Sequence, residues 1–266
     1  MMRKLIIIVL ILIGTASAYW FRVPINDLFD ELNNPALPEP VTFVQINENS
    51  NIEPGETNAS TNNSNEAPEP TSLPDEINLA VPFTSQAPHA NWDLPYQEAC
   101  EEAAALMVHR YWSDEPFSSK EDADTAILEL IDFQNERYGS YEDTTAQETV
   151  QLIKDIWGYK SVDLYTGNDV TLDRIKQELS NGYPVIVMAA GRELGNPNYK
   201  QPGPLYHALV LKGYLSNGDI ITNDSGTRNG ADYTYTPSIL LDAIHDWNNG
   251  DVPSGQRNMI IIRPNN

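Results

Sequence analysis

The one cysteine of this chain is its strongest candidate nucleophile. Cys100 stands just before a stretch in which Ala104, Met107, Val108 and Tyr111 recur at helical spacing, so it lies where a helix is predicted to begin. A thiol at a helix N-terminus lies near the positive end of the helix dipole and near unbonded N–H groups, which favour the thiolate. Covalent chemistry at sulfur is therefore one interpretation, and a small buried side chain is the other.

Two acidic residues directly follow this cysteine. Glu101 and Glu102 add negative charge to the first turn of the predicted helix, and a like charge raises the pKa of a thiol. A nearby imidazolium would offset that effect, so the position of the histidines decides whether Cys100 can react.

The chain has four histidines, and their positions in the predicted elements indicate which of them could act as a base for Cys100. His109 follows Cys100 by nine residues on the same predicted helix, which is about 13 Å along the axis and out of reach. His89 lies in a predicted loop and His245 in a predicted helix, where ordinary surface positions explain both. His207 opens a predicted strand after a loop rich in glycine and proline, and catalytic groups are often carried by such loops. His207 is therefore the candidate general base.

A catalytic histidine needs a partner that orients its ring, and Asp224 is the candidate. Asn217-Gly218 predicts a two-residue hairpin turn between the strand of His207 and the next strand. In that register Leu211 pairs with Asp224, which leaves the carboxylate four residues from His207 on the same face of the sheet. A β-bulge or strong coiling would have to close this gap.

The surrounding elements predict an α+β domain with its helices first and its strands later. The predicted helices begin at residue 100 and cover 122–137, 145–157 and 171–180. Thr145 and Glu148 form a predicted capping box at the start of the third of these helices. The predicted strands cover 184–190, 207–214, 219–223, 233–235 and 258–263, and another helix begins near Pro237 after Thr236.

The first 79 residues are predicted to lie outside this domain. Residues 1–18 have the form of an export signal, since Arg3 and Lys4 precede the apolar run 5–13 and Ala16-Ser17-Ala18 fits a cleavage site. An uncleaved membrane anchor is the alternative. Residues 19–79 are predicted to be an acidic, disordered linker and 80–266 the folded domain. The protein is thus expected outside the cell or at its surface.

The charge of the chain limits its partners. With 38 acidic and 16 basic residues the formal net charge is −22, which repels phosphate backbones and anionic lipid. Nucleic acid is therefore not expected as a partner, and contact with a membrane is expected only through the N-terminal segment. The sequence shows no zinc-ligand cluster, and the acids around Asp219 and Asp224 lack the spacing of a calcium loop, so no metal or cofactor is expected.

Several ordered blocks of the sequence resemble family 39 of the cysteine peptidases. They are Val81-Pro82-Phe83-Thr84-Ser85-Gln86, Cys100 at a helix start, Tyr206-His207-Ala208-Leu209-Val210-Leu211-Lys212-Gly213-Tyr214, and Thr222-Asn223-Asp224. This resemblance implies a papain-like fold, a peptide or protein substrate, and a catalytic Cys100, His207 and Asp224. It also implies that Gln86 helps to form the oxyanion hole, for which Gln97 is a rival because it lies three residues before Cys100.

The sequence departs from the family at one place, because many relatives have Gly-Pro where this chain has Glu101-Glu102. This departure puts the local turn and the substrate subsite in question. A transamidase or a cell-wall peptide hydrolase would use the same acyl-enzyme. A non-catalytic extracellular module that binds through Trp92, Tyr96 and Tyr199 is the alternative from another class.

Overall fold

A computed structural model describes residues 36–50 and 73–265 of the chain. It divides into two units, Met1–Pro38 and Glu39–Asn266, and only residues 36–38 of the first are described. The predicted export signal 1–18 and most of the predicted linker 19–79 lie outside the described residues. None of the helices in the described part has the length and apolar character needed to cross a bilayer.

In the described part of the second unit, most of the helices come first and most of the strands come later. The helices are α1 (Phe43–Ser50), α2 (Cys100–Ser113), α3 (Lys120–Tyr138), α4 (Ala146–Trp157), α5 (Leu172–Ser180) and α6 (Pro237–Ala243). The strands are β1 (Ile77–Asn78), β2 (Val162–Thr166), β3 (Val185–Ala190), β4 (Tyr206–Tyr214), β5 (Ile220–Asn223), β6 (Tyr233–Tyr235) and β7 (Asn258–Ile262).

One antiparallel sheet forms the centre of the described structure. Its order is β2-β7-β3-β4-β5-β6, and β1 also pairs with the end of β4. Strands β3, β4 and β7 are buried along their whole length, which agrees with their nearly continuous apolar sequences. The central position of β4 therefore gives its first residues, including His207, a rigid support.

Helix α2 is buried between the sheet and two other helices. Ala104 and Met107 belong to the main core against the sheet, whereas Ala103 and Leu106 belong to a second core with α3 and α4. The sequence predicted a single apolar face, but the helix is buried on both sides from Cys100 onward for more than two turns. A helix that is covered all round holds its first residue in a fixed place.

Most predicted elements are present with small shifts at their ends. The capping box before α4 is confirmed, since Thr145 Oγ1 accepts from Glu148 N at 3.3 Å and Glu148 Oε2 accepts from Thr145 N at 2.8 Å. The prediction that His245 lies in a helix is wrong, because α6 ends at Ala243. The His245 backbone N–H bonds to the strand residue Met188 instead.

Strands β1 and β2 and helix α1 were not predicted. Helix α1 lies inside the predicted linker, and this part of it packs on the domain. The ring of Phe43 lies 5.0 Å from that of Trp112 and 5.5 Å from that of Tyr183, and Val41 N donates to Asn78 O at 2.8 Å. A few apolar residues in a polar segment are enough to dock it, so composition averaged over 19–79 concealed this helix.

Candidate active site

The turn between β4 and β5 contains three residues, so the predicted two-residue turn is wrong. Leu215 N donates to Asp219 O at 2.9 Å, which pairs these two residues across the turn. Gly218 has a φ of 97°, a backbone conformation that suits glycine. The longer turn moves β5 by one residue relative to the predicted register.

A bulge in β4 moves the register by one further residue. Leu211 pairs with Thr222 rather than with Asp224, and the pairing is irregular immediately after Leu211. Continuing this register would put Asp224 opposite Leu209, two residues from His207 instead of four. The bulge that the sequence analysis required is therefore present.

His207 and Asp224 form a buried pair at the start of β4. His207 Nε2 lies 2.8 Å from Asp224 Oδ1, and the two side chains are 1% and 0% exposed. Because Asp224 is ionised, the Nε2 proton of a neutral imidazole is donated to it. Nδ1 is then the basic nitrogen of the ring, and it is free to accept a proton from a nucleophile.

Several hydrogen bonds hold the Asp224 carboxylate in place. Besides His207, its donors are Tyr199 OH at 2.6 Å, Tyr235 OH at 2.6 Å, Asn196 Nδ2 at 3.0 Å and Gly226 N at 3.0 Å. Burial raises the pKa of Asp224, but the charge of His207 and these hydrogen bonds outweigh it and lower the pKa to about 2. The carboxylate is therefore negative at neutral pH.

Gly226 lets the backbone approach the ring of His207. A Cβ atom at this position would lie 2.8 Å from His207 Cε1 and 3.0 Å from Tyr199 Cε1. Any side chain would push against both rings, so a residue without one is required where the loop after Asp224 covers the histidine.

Cys100 lies in a buried and acidic environment. The side chain is 5% exposed, and Sγ donates to Glu101 Oε2 at 2.9 Å. Burial and the charge and hydrogen bond of Glu101 raise the pKa of the thiol well above its ordinary value, against a smaller opposite effect of the Ala208 backbone. The sequence predicted that Glu101 and Glu102 would oppose ionisation, and both do so.

The structure brings the nucleophile close to the histidine without joining them. The backbone of Ala208 approaches the Cys100 sulfur closely enough to lower the pKa of the thiol, and Ala208 directly follows His207. In the described part of the chain no hydrogen bond links the Cys100 thiol to the His207 ring. The proposed catalytic residues therefore adjoin one another in a resting arrangement, in which the thiol proton is held by a carboxylate.

Gln86 lies beside the site, and both of its amide hydrogens are occupied. Gln86 Nε2 donates to Tyr96 O at 2.9 Å and to Gln97 O at 3.0 Å, and Gln86 N donates to Ser225 O at 3.0 Å. The side chain thus supports the turn that leads into α2. A role in the oxyanion hole stays a prediction, and it would require these bonds to rearrange.

The rival Gln97 is exposed and hydrogen-bonds to its neighbour Glu98 at 2.7 Å. Two of the other histidines have partners elsewhere in the described structure, and His89 is exposed. His109 stacks on Trp157 with ring centroids 4.2 Å apart, and His245 Nδ1 lies 2.6 Å from Gly255 O. Of the four histidines, His207 is the one paired with a buried carboxylate.

A groove of about 360 Å³ opens beside the segment that carries Gln86. Phe83 and Phe117 contribute aromatic rings to its walls, and Lys120 and Arg228 are the charged residues that line it. Ser85, which precedes Gln86, also lines the groove and donates to Ser225 O at 3.2 Å. The groove therefore adjoins the loops that hold Gln86 and Asp224.

A family model described as "Peptidase_C39 like family" matches residues 78–249. The chain belongs to this family. The match confirms the predicted resemblance and identifies the protein as a member of a peptidase, hence hydrolase, family. No curated protein sequence matches the chain significantly.

Solved structures show the same fold at low sequence identity. A fragment of prointerpain A from Prevotella intermedia has 12% identity and a TM-score of 0.50, covering 75% of this chain and 76% of that one. A C39-like peptidase from Bacillus anthracis has 15% identity and a TM-score of 0.47, covering 72% and 99%. The interpain A cysteine protease of P. intermedia has 15% identity and a TM-score of 0.44, covering 73% and 97%. The predicted α+β, papain-like fold is confirmed.

Sequence reasoning missed three side chains that contact Asp224. Tyr199 was considered as a surface aromatic for a binding module, but it is buried and donates to the carboxylate. Asn196 lies in the loop between β3 and β4, and Tyr235 lies in β6. No local spacing connects these residues to Asp224, because they come from two segments, the loop between β3 and β4 and the strand β6, that only the folded structure brings to it.

Proposed function

We propose that this protein is a cysteine peptidase that hydrolyses a peptide or amide bond through a thioester acyl-enzyme. The observation that carries the proposal is the buried pair of His207 and Asp224 at 2.8 Å, next to the Ala208 amide that contacts Cys100. This arrangement supports Cys100 as nucleophile, His207 as base and Asp224 as orienting carboxylate. Membership in the peptidase family supports the assignment.

In the proposed reaction His207 Nδ1 takes the thiol proton, and the sulfur of Cys100 attacks the carbonyl carbon of the substrate. The C–N bond then breaks, and the imidazolium gives its proton to the leaving amine. A water molecule that loses a proton to His207 attacks the thioester, and the returned proton regenerates the thiol as the acid product leaves. Asp224 fixes the ring and stabilises the imidazolium throughout.

The oxyanion that forms on the substrate requires hydrogen-bond donors. Helix α2 has no side-chain N-cap, so the Cys100 backbone N–H can serve as one donor. Gln86 is the second proposed donor, and it must release the carbonyl of Tyr96 or Gln97 to act.

The test is cleavage of a proteome-derived peptide library by the full chain, read by mass spectrometry. We expect Cys100→Ala to abolish cleavage and His207→Ala to lower its rate at least about 100-fold. His89→Ala is the matched control, because His89 is exposed and should leave the rate unchanged. Cleavage that persists in Cys100→Ala would refute the proposal. Ligated products formed with an added amine would instead identify a transamidase.

We also propose that the protein is exported and acts outside the cell or at its surface. This rests on the sequence of residues 1–18, whose basic start, apolar centre and Ala16-Ser17-Ala18 fit an export signal. N-terminal sequencing of protein recovered from the medium should begin at Tyr19. A protein recovered with membranes and an intact N-terminus would indicate an anchor.

A further inference from the structure

Glu101 and Glu102 form a pair of buried carboxyl groups at the first turn of α2. They are 1% and 0% exposed, and neither forms an ion pair with any described lysine, arginine or histidine. Glu101 Oε1 and Glu102 Oε2 have no hydrogen-bond partner within the described structure. Buried carboxyl oxygens without partners are costly, which suggests a role beyond stability.

The two carboxyl groups have different partners. Glu101 Oε2 accepts the thiol hydrogen bond of Cys100 at 2.9 Å, whereas Glu102 Oε1 accepts from Gln134 Nε2 on α3. Glu101 therefore contacts the nucleophile directly, and Glu102 lies on the side of the helix that packs away from it. The pair therefore offers two residues of one type, of which Glu101 accepts from the thiol and Glu102 does not.

The charged and titratable groups around Glu101 are acidic or neutral. Glu102 lies next to it on α2, Asp143 approaches from the loop before α4, and Tyr206 approaches from β4. Asp246 accepts from Tyr206 OH at 2.9 Å and adds a further negative charge nearby. In such surroundings a proton is retained between the thiol and the carboxyl group.

We propose that Glu101 is a positioning residue that keeps the Cys100 thiol protonated and bound to its carboxyl group in the resting protein. The nucleophile becomes reactive only when this hydrogen bond breaks and the thiol proton passes to Nδ1 of His207. The electron pair of the S–H bond then stays on sulfur, and the imidazole becomes imidazolium. The proposal builds on the proposed function, since it explains how the proposed nucleophile is restrained.

The test compares Glu101→Gln with Glu102→Gln in the full chain. The rate of Cys100 alkylation by iodoacetamide is measured against pH, because only the thiolate reacts. Glutamine keeps the size of glutamate and removes its charge. We expect Glu101→Gln to move the profile to lower pH and to speed labelling near neutral pH at least about tenfold, the effect of one pKa unit. Glu102→Gln should change it less than about twofold.

A profile of Glu101→Gln that superimposes on the wild type would overturn the proposal. An equal shift in both variants would also overturn it, because the general charge and not the hydrogen bond would then be responsible. If Glu101→Gln does not fold, a second measurement decides the question. The thiolate absorbance in the far ultraviolet is measured as the difference between the spectra of the wild type and Cys100→Ala. Thiolate already present at neutral pH would contradict a restrained thiol.

A third variant separates this proposal from the proposed function. In Glu101→Gln combined with His207→Ala, the faster labelling should be lost if His207 takes the released proton. Faster labelling that persists in the double variant would still support restraint by Glu101. It would count against His207 as the base, and so against the proposed peptidase mechanism.

Discussion

At the scale of single residues, the candidate site depends on how burial and hydrogen bonds shift the pKa of each buried carboxyl group. Asp224 is surrounded by hydrogen-bond donors and is held as an anion, whereas Glu101 and Glu102 are buried with few donors, which raises the pKa of both. The pKa values of similar side chains are thus shifted in opposite directions within one site. Such a separation of pKa values is typical of sites that move protons.

Asp224→Asn should strongly lower peptidase activity. The asparagine amide has nearly the same size, but it cannot balance the charge of an imidazolium or enforce the tautomer with Nε2–H. We expect kcat/KM to fall at least about 100-fold, measured on a peptide identified from the library. Asp242→Asn is the control, since the Asp242 side chain is 80% exposed on α6. Equal effects of the two variants would contradict the assigned role.

At the scale of elements, the candidate nucleophile lies at the N-terminus of α2, and the residues after it pack against the sheet and the neighbouring helices. The alanines after Cys100 allow the sheet and the neighbouring helices to approach closely on both sides. This packing buries the first turn, and burial raises the pKa of Glu102 to about 7 and that of Glu101 well above its ordinary value. The same feature therefore positions Cys100 and raises the pKa of its two acidic neighbours.

The stability of the protein should fall as the pH rises toward and past neutrality. Because the pKa of Glu102 is raised from 4.5 to about 7 on folding, the folded state binds this proton more tightly than the unfolded state. Its stabilising contribution is complete below 4.5 and is lost as the pH rises through about 7. Thermal unfolding followed by circular dichroism across this range should show a falling Tm.

Glu102→Gln should flatten this dependence, because glutamine does not titrate. Glu136→Gln on α3 is the control, since Glu136 is exposed. A Tm that falls as steeply in Glu102→Gln as in the wild type would show that other groups cause the pH dependence.

At the scale of the whole molecule, charge is distributed unevenly. The chain carries a formal net charge of −22, yet the charged residues that line the groove beside Gln86 are both basic. Lys120 and Arg228 form no ion pair with any described carboxylate. Because the net negative charge of the chain repels anions, this groove is where an acidic peptide segment would be favoured.

An acidic peptide should therefore bind better than its neutral counterpart. Binding to full-length Cys100→Ala is measured by fluorescence anisotropy with two labelled peptides that differ only by glutamate or glutamine at two positions. We expect Lys120→Glu with Arg228→Glu to weaken binding of the acidic peptide roughly three- to tenfold. Lys160→Glu with Lys200→Glu makes the same change in net charge and should have little effect. Equal losses in both double variants would indicate non-specific attraction.

The sequence by itself determined the features that depend on neighbouring residues. Helical spacing predicted α2, the capping box predicted the start of α4, and alternation and apolar runs predicted the strands of the second half. Cys100, His207 and Asp224 were identified from their positions relative to these elements and from the family resemblance. Periodicity and capping act over a few residues, so they can be read along the chain.

Only the tertiary structure decided how these residues meet. The three-residue turn and the bulge in β4 brought Asp224 to His207, whereas the dipeptide Asn217-Gly218 had predicted another register. Tyr199 and Tyr235 reach Asp224 from separate segments, and Phe43 docks a helix from within an acidic stretch. The raised pKa of Glu101 follows from its burial at the start of α2. Burial and contacts between distant segments arise from packing in three dimensions, and no local pattern in the sequence encodes them.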